Sequence, residues 1–207
     1  MPKTFYNQDF PNLRRLAQLN SYYCGPAVIE VLASYLGGAT TQEGVVKAAG
    51  LTPKTVKERG VTLEQMAKAT GKIFPEYQFW YKKYATIREL AEIINTYKYP
   101  VGVEWQGVFD YPDEEVYEDE DDDPGHISVV THVSTRENVI MIADPDQHYA
   151  GKDRRFTILQ FDRRWWDIDE VVDPVTKKHH QVDDYHVMFV IVPQGETFPE
   201  KMGMIRG

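Results

Sequence analysis

Helix signals and strand signals fall in different halves of this 207-residue sequence, and that division restricts the available architectures more than any other feature. From Cys24, the run CGPAVIEVLASYL puts Val28, Val31, Leu32 and Tyr35 on one helical face, with Pro26 acceptable in the first turn and Gly37 as a stop. Thr40 to Glu43 and Thr62 to Gln65 match the capping-box pattern, each before a short helix ended by glycine, at Gly50 and Gly71. Thr86 to Glu89 repeats the signal, so four helices are expected before residue 100. After that point the β-branched apolar runs at 101–105, 126–133, 138–144 and 185–192 predict strands of one antiparallel sheet. Residues 73–81 are a further candidate strand, and 159–168 a short helix with large apolar anchors. Helices first and strands afterwards define an α+β fold, N-terminal helices packed on a C-terminal antiparallel sheet. With no internal repeat and no linker, residues 1–207 are expected to form one domain.

The charge is concentrated. Net charge is −9, yet ten of the 32 acidic residues lie within residues 110–123, leaving 23 Lys and Arg against 22 acidic residues elsewhere. A nearly neutral body without a basic stripe argues against nucleic-acid binding. The N-terminus lacks the apolar core of a signal peptide, and no run approaches a membrane span, so a soluble, cytoplasmic protein is expected. The single cysteine, Cys24, has no partner for an internal disulfide and is either a buried small residue or a reactive thiol.

Cysteine at the first turn of a buried helix suits nucleophilic chemistry, because the unpaired N–H groups and helix dipole there favour thiolate. Burial statistics alone favour a packed residue, so the case depends on partners. His126 opens a strand directly after a long loop, where its ring can face a cleft. His126, Ser128, Val130 and His132 are expected on one face, which makes His132, deeper in the strand, the internal rival. An imidazole base needs an acceptor on its other nitrogen, and Asp144 ends the next strand, although Asp144-Pro145-Asp146 by itself reads as a turn. Gln18, six residues before Cys24, could supply a side-chain amide to a developing oxyanion.

Together, Gln18-Leu-Asn-Ser-Tyr-Tyr-Cys24-Gly-Pro-Ala, Gly125-His126-Ile-Ser-Val-Val and Ile142-Ala-Asp144-Pro resemble the motifs of the C39 and C39-like cysteine peptidases, in the same order. The resemblance implies a papain-like fold, Cys24 as nucleophile, His126 as base, Asp144 as its orienting partner and Gln18 in the oxyanion hole. It further implies a peptide or protein substrate, cleavage of peptide or isopeptide bonds, and no metal or organic cofactor. The alternatives are acyl transfer or transpeptidation by the same thiol, and a catalytically silent peptide-binding module of the same fold. His132-Val133 stand where many relatives have Gly-Tyr, and nothing resembles the transporter that carries leader-cleaving C39 domains, so their double-glycine specificity is not carried over.

Two other features read as non-sites. His179 and His180, adjacent on an extended segment, make a poor chelate, and the stretch to His186 is expected to be a solvated loop before the last strand. The acidic run lacks the glycine and glutamate of an EF-hand. As an insertion at 110–124 ending beside His126, it is expected to border the cleft and favour basic substrates.

Overall fold

The computed structural model describes residues 9–108, 125–172, 176 and 179–207; the acidic insertion at 110–124 lies outside them. Among the described residues the first half holds five α-helices rather than four: α1 (Cys24–Tyr35), α2 (Gln42–Ala49), α3 (Pro53–Arg59), α4 (Leu63–Ile73) and α5 (Ile87–Glu92). The one not expected, α3, carries its own signal, since Thr52 caps Thr55 and Pro53 occupies the first turn. The start of α2 is one residue later than expected: Thr41, not Thr40, accepts from the Gly44 N–H. Reciprocal capping boxes form at Thr62–Gln65 and Thr86–Glu89 as expected. Gly50 ends α2 in the left-handed conformation, whereas Gly71 lies inside α4, which runs on to Ile73.

The strands are β1 (Tyr77–Lys82), β2 (Val101–Trp105), β3 (His126–Ser134), β4 (Val139–Ala143), β5 (Asp153–Phe156), β6 (Trp166–Val172), β7 (His179–Tyr185), β8 (Met188–Pro193) and β9 (Ile205–Arg206). Seven form one antiparallel sheet in the order β5-β4-β3-β2-β8-β1-β9. The other two, β6 and β7, make a separate hairpin, so the stretch from His179, expected as a loop, is a strand. The stretch 159–168 divides: α6 (Ile158–Asp162) is the expected helix, and Trp166 already begins β6.

The core lies between α1, α2, α4 and the sheet. In α1, Val28, Ile29 and Leu32 are fully buried, each contributing roughly 1.5–3 kcal/mol through lost water contact. Helix α1 packs on β3 at close range, because a Cβ on Gly25 would stand 3.3 Å from both Ile127 Cδ1 and Met66 Sδ. In the sheet, the Phe189 ring lies over Gly102, where a Cβ would come within 2.2 Å of it, and stacks on Phe79 at 5.2 Å. These contacts fix β8 between β1 and β2. Residues 10–18 are tied across the connection that follows β4: Arg15 forms an ion pair with Asp153 at 2.9 Å, and the Gln18 N–H donates to Pro145 O at 2.7 Å.

Candidate active site

Three elements deliver three side chains to one corner. Cys24 is the first residue of α1, His126 the first of β3, and Asp144 directly follows β4. Because β3 and β4 are adjacent and antiparallel, with Val129 opposite Ala143, the start of one strand lies beside the end of the other. His126 Nε2 is 2.7 Å from Asp144 Oδ1. The Cys24 side chain hydrogen-bonds the same imidazole. With Nε2 committed to Asp144, Nδ1 is the ring nitrogen left for the thiol.

The carboxylate is held from three directions. Oδ1 also accepts from the Asp146 N–H at 3.0 Å, and Oδ2 accepts from Arg154 Nη1 at 2.6 Å. Arg154 also donates to Val108 O, and its guanidinium lies 3.6 Å over the Tyr149 ring. Burial alone would raise the Asp144 pKa, but the bonds and charge of His126, the Asp146 N–H and Arg154 hold it below the usual carboxylate range. For His126, burial works against the imidazolium; the hydrogen bonds and negative charge of Asp144 and Cys24 outweigh it and push the pKa up to about 10. His126 and Asp144 are therefore an ion pair at neutral pH, with the His126 side chain only 6% exposed.

The N-terminus of α1 differs from the other α-helices. Thr41, Thr52, Thr62, Thr86 and Thr157 cap α2 through α6, whereas Tyr23 caps α1 with no side-chain hydrogen bond. Pro26 has no N–H and the Ala27 N–H bonds Tyr23 O, so the N–H groups of Cys24 and Gly25 are left at the helix start without a capping side chain. Gln18 is 4% exposed, and its Oε1 is buried with no hydrogen-bond partner among the described residues. Its backbone is fixed by Pro145 and by Gln42, which accepts from the Leu19 N–H at 2.8 Å and donates to Ala17 O at 2.9 Å.

The rival histidine is elsewhere. A β-bulge between Val130 and His132 breaks the expected alternation along β3, and His132 Nδ1 instead meets Asp9 Oδ2 at 2.5 Å. Trp165 is an apolar anchor, fully buried with its indole donating to Val187 O at 2.9 Å; Trp166 is half-buried. Arg154, Gln42 and Tyr149 were not picked out from sequence. Gln42 acts on residues more than 20 positions away, and only the strand order that sets β5 against β4 reveals Arg154, with Tyr149 beneath its guanidinium.

A half-buried thiol at a helix start, an imidazole from a strand packed against that helix and a carboxylate behind it, on α+β architecture, define a papain-like cysteine peptidase fold. The chain belongs to the Peptidase_C39 like family, whose model matches residues 8–172. Solved structures agree in fold. The peptidase domain of Streptococcus ComA, a bifunctional ABC transporter of a quorum-sensing pathway, is 18% identical over 86% of this chain and 97% of that one, with a TM-score of 0.53. A double-glycine-motif protease from an AMS/PCAT transporter, solved with its leader peptide, is 15% identical over 86% and 90%, with a TM-score of 0.52. A Bacillus anthracis protein described as a C39-like peptidase is 12% identical over 92% and 98%, with a TM-score of 0.55. No curated protein matches the sequence. No helix among the described residues is long and apolar enough to cross a membrane.

Proposed function

We propose that this protein is a thiol hydrolase of peptide or isopeptide bonds, with Cys24 as nucleophile, His126 as acid and base, Asp144 as the group that orients and charges the imidazole, and Gln18 as an oxyanion donor. The observation that carries the reading is the continuous hydrogen-bonded series Cys24, His126, Asp144 and Arg154 at an uncapped helix start. Each member prepares the next: Arg154 and the Asp146 N–H fix the carboxylate, the carboxylate favours imidazolium, and imidazolium favours thiolate.

In the forward step the Cys24 thiolate attacks the substrate carbonyl carbon and its π electrons move to oxygen. The N–H groups at the start of α1 receive that oxyanion. A half-turn of the Gln18 amide exchanges Oε1 and Nε2 within the same volume and adds a further N–H. Collapse of the tetrahedral intermediate breaks the C–N bond as His126 gives its Nδ1 proton to the leaving amine, and a thioester remains. His126 then takes a proton from water, hydroxide attacks the thioester, and Cys24 leaves as thiolate with the imidazolium restored.

The same proposal takes residues 1–207 as one domain. In its favour, β8 at 188–193 lies beyond the family match yet runs through the middle of the sheet. A cytoplasmic location belongs to the proposal as well. The test is digestion of a peptide library by the wild type and by Cys24→Ala, with iodoacetamide labelling read by mass spectrometry. New termini from the wild type alone, and rapid alkylation of Cys24, are expected; cleavage that survives Cys24→Ala would sink the assignment. Adding a primary amine separates hydrolysis from acyl transfer, because transfer products then carry the amine. Unlabelled Cys24 and an undigested library would favour a silent binding module.

A further inference from the structure

Beside the His126–Asp144 pair a groove of about 740 Å3 is lined by Arg154, Arg155, Arg163 and Arg164, together with Val108 and Trp166. Among the described residues no carboxylate lines it, in a chain whose net charge is −9. Arg154 and Arg164 are engaged by the protein itself. Arg154 holds Asp144 and Val108 O, and Arg164 donates to Gly107 O at 2.9 Å. Arg155 and Arg163 are exposed and form no ion pair among the described residues. Two exposed guanidinium groups, Arg155 and Arg163, held beside two more without an ion pair of their own among the described residues are unfavourable in an empty groove and favourable once an anion enters.

The groove adjoins the chemistry by construction. Trp105 is opposite His126 in the β2–β3 register, so Gln106 and Val108 continue β2 past the histidine and form one wall. Arg154 to Phe156 of β5 form another, and β5 is the last strand on its side of the sheet. An extended peptide along that edge would pass Arg155 and its neighbour Arg154, which holds Asp144.

We infer that the groove is a substrate subsite for an acidic peptide segment, with Arg155 and Arg163 pairing its Asp or Glu side chains. The inference rests on the hydrolase reading and names the substrate class of that site. It is opposite in sign to the preference for basic peptides expected from residues 110–123 alone. Guanidinium groups suit this role because their planar fork meets a carboxylate with two parallel N–H bonds.

The test begins with binding, which needs no turnover. A fluorescein-labelled decapeptide rich in Glu and Asp, and its Gln/Asn twin, are titrated against full-length Cys24→Ala protein by anisotropy. The acidic peptide is expected to bind about tenfold tighter at 0.1 M salt, an advantage that shrinks by 0.5 M. Adding Arg155→Glu and Arg163→Glu should remove it without changing the Tm, since both residues are exposed. Equal binding of the two peptides, or an advantage that survives both substitutions, overturns the inference. An oligonucleotide of equal charge that competes as well as the peptide also overturns it, making the groove a general polyanion site. Replacing the acids at 110–123 with Asn and Ser is the last control. If the dependence on Arg155 and Arg163 vanishes in that background, the arginines serve the chain's own acidic run and the inference fails. Library digestion by proteins with Cys24 intact separates the two readings. Cleavage enriched near Asp and Glu, and lost in the double Arg variant, supports both. Acidic-peptide binding with no cleavage at all refutes the hydrolase reading and the substrate role with it. Cleavage without acidic enrichment refutes the subsite alone.

Discussion

Asp144→Asn keeps the shape of a buried side chain and removes its charge, which isolates the electrostatic link behind His126. In the wild type the His126 pKa is raised from 6.5 to about 10. At about 1.4 kcal/mol per unit this corresponds to on the order of 5 kcal/mol. Breaking a buried ion pair costs about 3–5 kcal/mol, and Cys24 supplies part of the rise, so the lower half of that range is expected. The pH window follows from the two shifts. Stabilisation from His126 is complete below about pH 6.5 and is lost as pH rises through its folded value near 10. Stabilisation from Asp144, whose pKa is lowered, is present above the ordinary value of 3.8 and is lost as pH falls through the folded one. Urea unfolding of the wild type and the variant should therefore differ most between about pH 4 and 6.5, and progressively less toward pH 10. A residual gap should persist at the alkaline end, because Arg154 remains charged and has lost its partner. NMR titration of the His126 ring should show its midpoint falling by more than 1 pH unit in the variant. A stability gap of equal size at pH 6 and pH 9.5, or a His126 midpoint still near 10 in the Asn variant, would refute this account of the pair.

Gln18→Ala should lower kcat by about 10²-fold with little loss of Tm, because Oε1 has no partner to forfeit; peptide hydrolysis and thermal melts check both. His132→Ala should leave activity within twofold of the wild type and cost about 0–1 kcal/mol, the worth of an accessible pair with Asp9. A drop of 10²-fold on steady-state rates would move the base to His132. Gly102→Ala should destabilise the fold by about 1–3 kcal/mol in urea melts, because its Cβ would collide with the Phe189 ring.

Cys24, His126 and Asp144 could be singled out as candidates from sequence because each sits at an end of an element with a strong local pattern: the helix after Cys24, and the two apolar runs that form β3 and β4. Ends of elements are where side chains meet a cleft. Arg154 has no such signature. Its strand, Asp153–Phe156, is short and polar, and its partners Asp144 and Val108 are brought to it only by pairing across the sheet. The hairpin of β6 and β7 escaped for a related reason. It forms a sheet of its own, so neither strand carries the apolar alternation that burial in the main core imposes. Thr52-Pro53 did announce α3, and the alternation expected along β3 failed only where the bulge adds a residue after Val130. Whether His126 and Asp144 touch was a matter of register, which periodicity alone leaves open.

The position of β8 has a consequence for how the chain is made. Strands β1 and β2, separated by α5, do not pair with each other; both wait for residues 188–193 to fill the gap. During synthesis the ribosome therefore releases Cys24, His126 and Asp144 long before the strand that closes the sheet beside β2. Such closure over large sequence separations is slow and must follow most of translation. A nascent chain stopped at the end of the family-matched segment, near residue 172, carries every residue of the proposed machinery on a sheet cut in two. If Cys24 is the nucleophile proposed above, its site is therefore expected to be complete only once the strand at 188–193 has docked beside β2.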